Sequence, residues 1–159
     1  MQYTKKYIKL VDRFFVNHKI FKDDFKNVTY FKNMTIAIMG GAGTVGSMLS
    51  LKLIRFGVKK IVVIDNNEYS IFKLIQKIET KDKKKIIIRL LSILNVKELE
   101  KSFKHFKFDL VYNCAAIKHV NIAEENKNET YRVNVTGNEN LLKLGKKYKI
   151  KRFVFISTD

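Results

Sequence analysis

The chain has 159 residues, 46% hydrophobic and 30% charged, which suits one domain with a real core and is not the composition of a disordered chain. No apolar run is long enough to cross a bilayer, no signal-peptide core opens the chain, and the single cysteine, Cys114, excludes an internal disulfide and a cysteine-rich metal site. The net charge of +17 comes from lysines scattered along every segment, so it reads as a proteome-wide codon bias and not as a dedicated nucleic-acid face. A reducing cytoplasm is the expected location.

Residues 4–17 place Tyr7, Leu10, Val11 and Phe14 at helical spacing, with Lys5, Lys6, Lys9, Asp12 and Arg13 opposite. This predicts a basic amphipathic helix docked on the domain, with a membrane-surface or partner-binding role as the alternative. Residues 20–33 are aromatic and lysine-rich without a clean period, an irregular lead-in. Residues 1–33 thus precede a domain over 34–159.

From Thr35 the pattern changes. Ile36-Ala37-Ile38-Met39 is a short apolar run ending at a glycine cluster, as a buried parallel strand would. A helix is predicted from Ser47 to Phe56, stopping at Gly57. Lys60 to Asp65 is a second strand, Glu68 to Ile78 a helix and Lys85 to Leu90 a third strand. Val96 to Phe106 is a helix, Asp109 to Asn113 the fourth strand, Glu129 to Tyr148 a long helix and Arg152 to Ile156 the fifth strand. Strict alternation predicts an α/β fold: a Rossmann-type, doubly wound parallel sheet of about five strands with right-handed crossovers. Cys114 reads as a small buried apolar residue of the fourth strand.

Gly40-Gly41-Ala42-Gly43-Thr44-Val45-Gly46 lies after a strand and opens a helix, where a dinucleotide site needs it. The first glycine allows the tight turn, Gly43 lets the backbone approach a pyrophosphate, and Gly46 lets helix and strand pack closely. The helix N-terminus then presents unsatisfied N–H groups to the phosphates. Asp65, 19 residues after Gly46 at the end of the second strand, can accept hydrogen bonds from a ribose 2′-OH. That favours NAD, while Lys59 or Lys60 leaves NADP open through a 2′-phosphate. The plain alternative is a tight turn with Asp65 capping the next helix.

The segment Asn113-Cys114-Ala115-Ala116-Ile117-Lys118-His119-Val120 narrows the reading. Together with Glu124, Asn126, Asn134, Gly137, Asn140 and the final Phe155-Ile156-Ser157-Thr158-Asp159, it resembles one family over residues 34–159. This is the polysaccharide-biosynthesis (CapD-like) UDP-N-acetylglucosamine 4,6-dehydratase and epimerase family of the extended short-chain dehydrogenase/reductases. The resemblance implies oxidation of a UDP-sugar at C4, loss of water across C5–C6 and return of the hydride to C6, in bacterial glycan synthesis.

By that resemblance Thr158 hydrogen-bonds the sugar hydroxyls, Asp159 protonates the leaving hydroxyl, and Lys118 and His119 lie beside nicotinamide and sugar. The implied cofactor contacts are Gly40, Gly43, Thr44, Val45, Gly46, Asp65, Asn66, Ser92, Ala115, Ala116, Lys118 and Asn134, with His119 on the substrate and no metal. For Lys118 and His119 the alternative is an ordinary loop residue, and for Asn134 a helix-surface amide.

The sequence also departs from the family. The sheet is expected to be truncated after its fifth strand, before the family's tyrosine and lysine, so this chain alone should bind cofactor without completing the reaction. The expected Gly-Asp after the third strand is replaced by Leu91-Ser92, which weakens adenine recognition. Two expected prolines are replaced by Asn121 and Lys127, which loosens the loop. Apolar groups of Val154 or Phe155 should be left exposed, promoting a homo-oligomer. Alternatives are a nucleotide-sugar epimerase and a non-catalytic dinucleotide-binding module.

Overall fold

The computed structural model describes residues 29–156, so the helix expected over 4–17 lies outside the described residues. Five strands form one sheet: β1 (Thr35–Met39), β2 (Lys60–Asp65), β3 (Ile86–Leu90), β4 (Leu110–Asn113) and β5 (Arg152–Phe155). Their order is β3-β2-β1-β4-β5, and every neighbouring pair is parallel.

The apolar runs are continuous because helices cover both faces of the sheet. Ile36 and Ile38 of β1 pack on one side with Leu53, Ile54, Ile71 and Leu74, from α1 (Thr44–Arg55) and α2 (Glu68–Lys77). Ala37 and Met39 point the other way, against Leu99, Phe103, Leu141 and Leu144. Those four belong to α3 (Val96–Phe106) and to the helix over Gly137–Lys147. The period of two within β1 thereby divides the core into two layers.

Local signals set the boundaries. Asn67 caps α2 by accepting the Ser70 N–H at 2.8 Å, and Asn95 caps α3 by accepting that of Glu98 at 3.3 Å. After α1, Gly57 takes φ +76° and its N–H donates to the Ile54 carbonyl at 3.2 Å.

Several boundaries differ from expectation, among them the following. Helix α1 starts at Thr44, directly on the glycine turn, and not at Ser47. Lys85 ends a 3-10 helix (Thr80–Lys85), so β3 begins at Ile86. A short helix not expected from the sequence, α4 (Val120–Glu125), comes first, and the helix expected over 129–148 is formed by α5 (Lys127–Tyr131), a π turn (Arg132–Thr136) and α6 (Gly137–Lys147). Only Leu141 and Leu144, in α6, give the helical period.

β1 is central, and the chain reaches β2 on one side of it and β4 on the other. Met39 is level with Ile64 and with Asn113, so the segments after β1, β2 and β4 emerge together at one edge. That reversal is where open α/β sheets form their ligand crevice.

Candidate functional site

The segment after β1 turns because Gly40 adopts φ +64°, a conformation that suits glycine. Its N–H donates to the Ile64 carbonyl at 2.8 Å, anchoring the turn on β2. A Cβ on Gly40 would meet the Ala115 N at 2.7 Å, so the turn packs directly on the segment after β4. A Cβ on Gly46 would collide with the Gly40 carbonyl oxygen and lie 2.6 Å from the Gly41 Cα, so only glycine lets α1 sit this close to the turn. Gly43 is exposed, and a Cβ there would meet only the Gly40 oxygen, at 3.3 Å.

Helix α1 then opens without a capping side chain and without an acidic residue in its first turn. Its first intrahelical bond runs from the Ser47 N–H to the Gly43 carbonyl at 2.9 Å. The N–H groups of Thr44, Val45 and Gly46, ahead of that bond, have no partner within the helix. Thr44 and Val45 are exposed. An uncapped helix end of this kind favours a negative charge.

Asp65 ends β2 and is buried. Its Oδ2 accepts the Ala42 N–H at 2.9 Å and its Oδ1 accepts the Asn67 N–H at 2.9 Å. The helix cap is Asn67, so Asp65 ties the glycine turn to β2 and does not cap α2. Each carboxylate oxygen keeps a further lone pair for a ligand.

These groups border a cleft of about 440 Å³ that includes Gly40, Gly43, Asp65, Asn66, Ser92, Ala115 and Ala116. All seven lie at or just after the ends of four different strands, as far as 76 residues apart along the chain. Ser92 is turned partly inward, its Oγ accepting the Leu94 N–H at 3.2 Å. Asn134, in the π turn, stands behind the cleft: its Oδ1 accepts the Ile117 N–H and its Nδ2 donates to the Ile117 carbonyl, each at 2.9 Å. It is therefore not a helix-surface amide. A wider hollow of about 850 Å³ lies between β3 and α3, lined by Arg89, Lys104 and Phe106 among others, and touches none of the glycines.

A model of the polysaccharide biosynthesis protein family matches residues 36–159. The chain belongs to this family. An uncharacterised membrane protein of Methanocaldococcus jannaschii is 31% identical over 82% of this chain and 38% of its own length. The capsular polysaccharide biosynthesis protein CapD of Staphylococcus aureus is 30% identical over 80% of this chain and 22% of its own. Among solved structures, the Bordetella bronchiseptica enzyme WbmG in complex with NAD and UDP superposes with TM-score 0.67 at 27% identity. That match covers 78% of this chain and 37% of WbmG. The chain thus spans well under half the length of these relatives. Among its described residues, no helix is long and apolar enough to cross a membrane.

In this polysaccharide biosynthesis family member the expected site residues do not all converge. Lys118 and His119 are exposed on the loop before α4 and are not part of the cleft lining, and Thr158 and Asp159 lie outside the described residues. Lys60 begins β2 and Asp65 ends it, which separates them by roughly 16 Å at 3.3 Å per residue.

Cys114 is not a strand residue. It follows β4, is half-buried and lines the cleft, where burial pushes its thiol up to about 11. Ile64, Ile93, Glu129 and Val133 also line the cleft and were not anticipated. Their only signal was position just at or after a strand end, or on a helix face that the π turn reorients.

Proposed function

We propose that this chain is the NAD-binding part of a nucleotide-sugar 4,6-dehydratase acting on a UDP-N-acetylglucosamine-like substrate in polysaccharide synthesis. The observation that carries the reading is that Gly43, the N-cap residue of an α1 that opens without a capping side chain, shares the lining of one cleft with Asp65. The donor set fits a pyrophosphate: free N–H groups at Thr44 and Val45, reached past an exposed Gly43 with no Cβ. Asp65 fits a ribose diol, because it accepts hydrogen bonds and carries a charge that repels a 2′-phosphate. With Lys59 and Lys60 at the far end of β2, no lysine of that pair offsets the repulsion, which favours NAD over NADP.

The nicotinamide ring would supply hydride exchange with the sugar. The chain's own residues bind and orient. Gly40, Gly43, Thr44, Val45 and Gly46 hold the phosphates. Asp65 and Asn66 take the adenosine ribose, Ser92 borders the adenine side, and Ala115 and Ala116 form the wall toward the nicotinamide. Asn134 holds that wall. In this reading Lys118, His119, Thr158 and Asp159 serve the sugar. An epimerase would use the same dinucleotide cleft.

The test is thermal unfolding of the chain with saturating NAD, and separately with NADP. At about one hundred times its dissociation constant, a bound ligand adds roughly 2.7 kcal/mol to the folded state. An upward shift of the midpoint with NAD, larger than with NADP, is the expected result. No shift with either would overturn the cofactor reading.

A further inference from the structure

Five hydrogen bonds through three asparagines link β4 to the π turn, and one residue in the middle joins them. Asn113, the last residue of β4, is buried. Its Oδ1 accepts the Ala115 N–H at 3.0 Å, and its Nδ2 donates to the Asn138 Oδ1 at 2.5 Å. Asn138 in turn donates from Nδ2 to the Asn134 carbonyl at 2.6 Å. Asn134 closes the circuit with its two bonds to Ile117.

The π turn explains why a side chain is needed at this point. Across it the Gly137 N–H reaches back five residues, to the Arg132 carbonyl, where an α-helix would reach back four. The widened ring shifts the backbone pairing, and the Asn138 amide supplies a donor to the Asn134 carbonyl from one turn away. The same shift directs the Asn134 side chain at Ile117.

We propose that Asn138 is a positioning residue for the dinucleotide wall, acting through Asn113 and Asn134 on the segment Cys114 to Ile117. This rests on the cofactor reading of the cleft. In that segment the Cys114 N–H donates to the Met39 carbonyl at 2.8 Å, and those of Ala115 and Ile117 donate to Asn113 and Asn134. The N–H of Ala116, exposed in the cleft, is the one left without a partner among the described residues. The relay therefore selects which backbone donor of the wall is held open, and Asn138 fixes both ends of it at once.

The experiment measures NAD affinity by calorimetry and amide hydrogen exchange in the wild-type chain and in Asn138→Leu. Temperatures are chosen where circular dichroism reports both as folded. Asn138→Leu is expected to weaken NAD at least tenfold and to speed exchange at Ala115 and Ile117, with exchange in β1 and β2 unchanged. Asn138→Ser is expected to recover part of the affinity, because a hydroxyl can donate to the carbonyl four residues back. It also serves if the leucine variant does not fold. A purely structural role would lower the unfolding midpoint and leave affinity unchanged.

Wild-type binding with equal affinity in the variants overturns the relay alone. A wild-type chain that binds neither NAD nor NADP overturns the cofactor reading and this inference with it.

Discussion

The Asn134 carboxamide grips Ile117 by both its N–H and its carbonyl, at 2.9 Å each, across 17 residues of chain. One planar side chain thereby replaces the backbone ladder that ends with β4 and carries the ordered edge of the sheet into the loop that walls the cleft. Replacing Asn134 by leucine leaves both Ile117 groups without their partner. A loss of about 1–3 kcal/mol for each such group sets the scale. Urea denaturation should show a lowered midpoint. Asn134→Asp, which keeps the acceptor and loses the donor, should fall between leucine and wild type.

The glycines of the turn separate folding from binding. Gly46→Ala forces a methyl group into the Gly40 carbonyl and Gly41, so it should lower thermal stability and NAD affinity together. Gly43→Ala meets only the Gly40 oxygen at 3.3 Å, so the unfolding midpoint should stay close to wild type while NAD affinity falls. Equal loss of stability in the two variants would contradict this division.

Asp65→Asn tests the double role of the carboxylate. Both oxygens accept backbone N–H groups, from Ala42 and Asn67. An amide can accept from one and must turn its own NH₂ toward the other. The expected cost is about 1–3 kcal/mol of stability for the unpaired donor. The preference for NAD over NADP, read as the ratio of dissociation constants, should shrink because the charge repelling a 2′-phosphate is gone.

Cys114 gives a pH signature. Burial raises its thiol from the ordinary 9.0 to about 11 in the folded chain. The folded state therefore favours the neutral thiol. Its contribution is fully present below pH 9 and is lost as pH rises through about 11, because the unfolded chain releases the proton first. Stability measured by denaturant should decline across that window, and the decline should be smaller in Cys114→Ala. Thiol modification at pH 8 should be slow and, since Cys114 lines the cleft, slower again with NAD present.

The outer strand of the sheet leaves apolar groups in water. Among the described residues, Val154 and Phe155 are 36% and 42% exposed, and Ile156 beside them is 39% exposed. Sedimentation velocity of the chain should detect concentration-dependent self-association, reduced in Phe155→Ser. A monomer at all concentrations would remove this strand as an association surface.

The local sequence by itself determined the α/β class, the five strands and the glycine turn. Each of these is written in neighbouring residues: apolar runs buried on both faces, Asn67 and Asn95 as caps, and Gly40 and Gly57 where φ is positive. The ends of β2 are local in the same way, which is why Asp65 was legible. What lies across the sheet from Asp65 was not. Strand direction puts Lys60 at the opposite edge, and strand order brings Gly40 against Ala115. The π turn inside the helix expected over 129–148 escaped for a related reason. The turn carries Asn134, which bonds Ile117, and the polar links around it pair residues 17 and 25 positions apart. No period of 2 or 3.6 encodes a bond between such residues. Only the packed sheet, by fixing where β4 ends relative to α6, decides that Asn113, Asn134 and Asn138 meet.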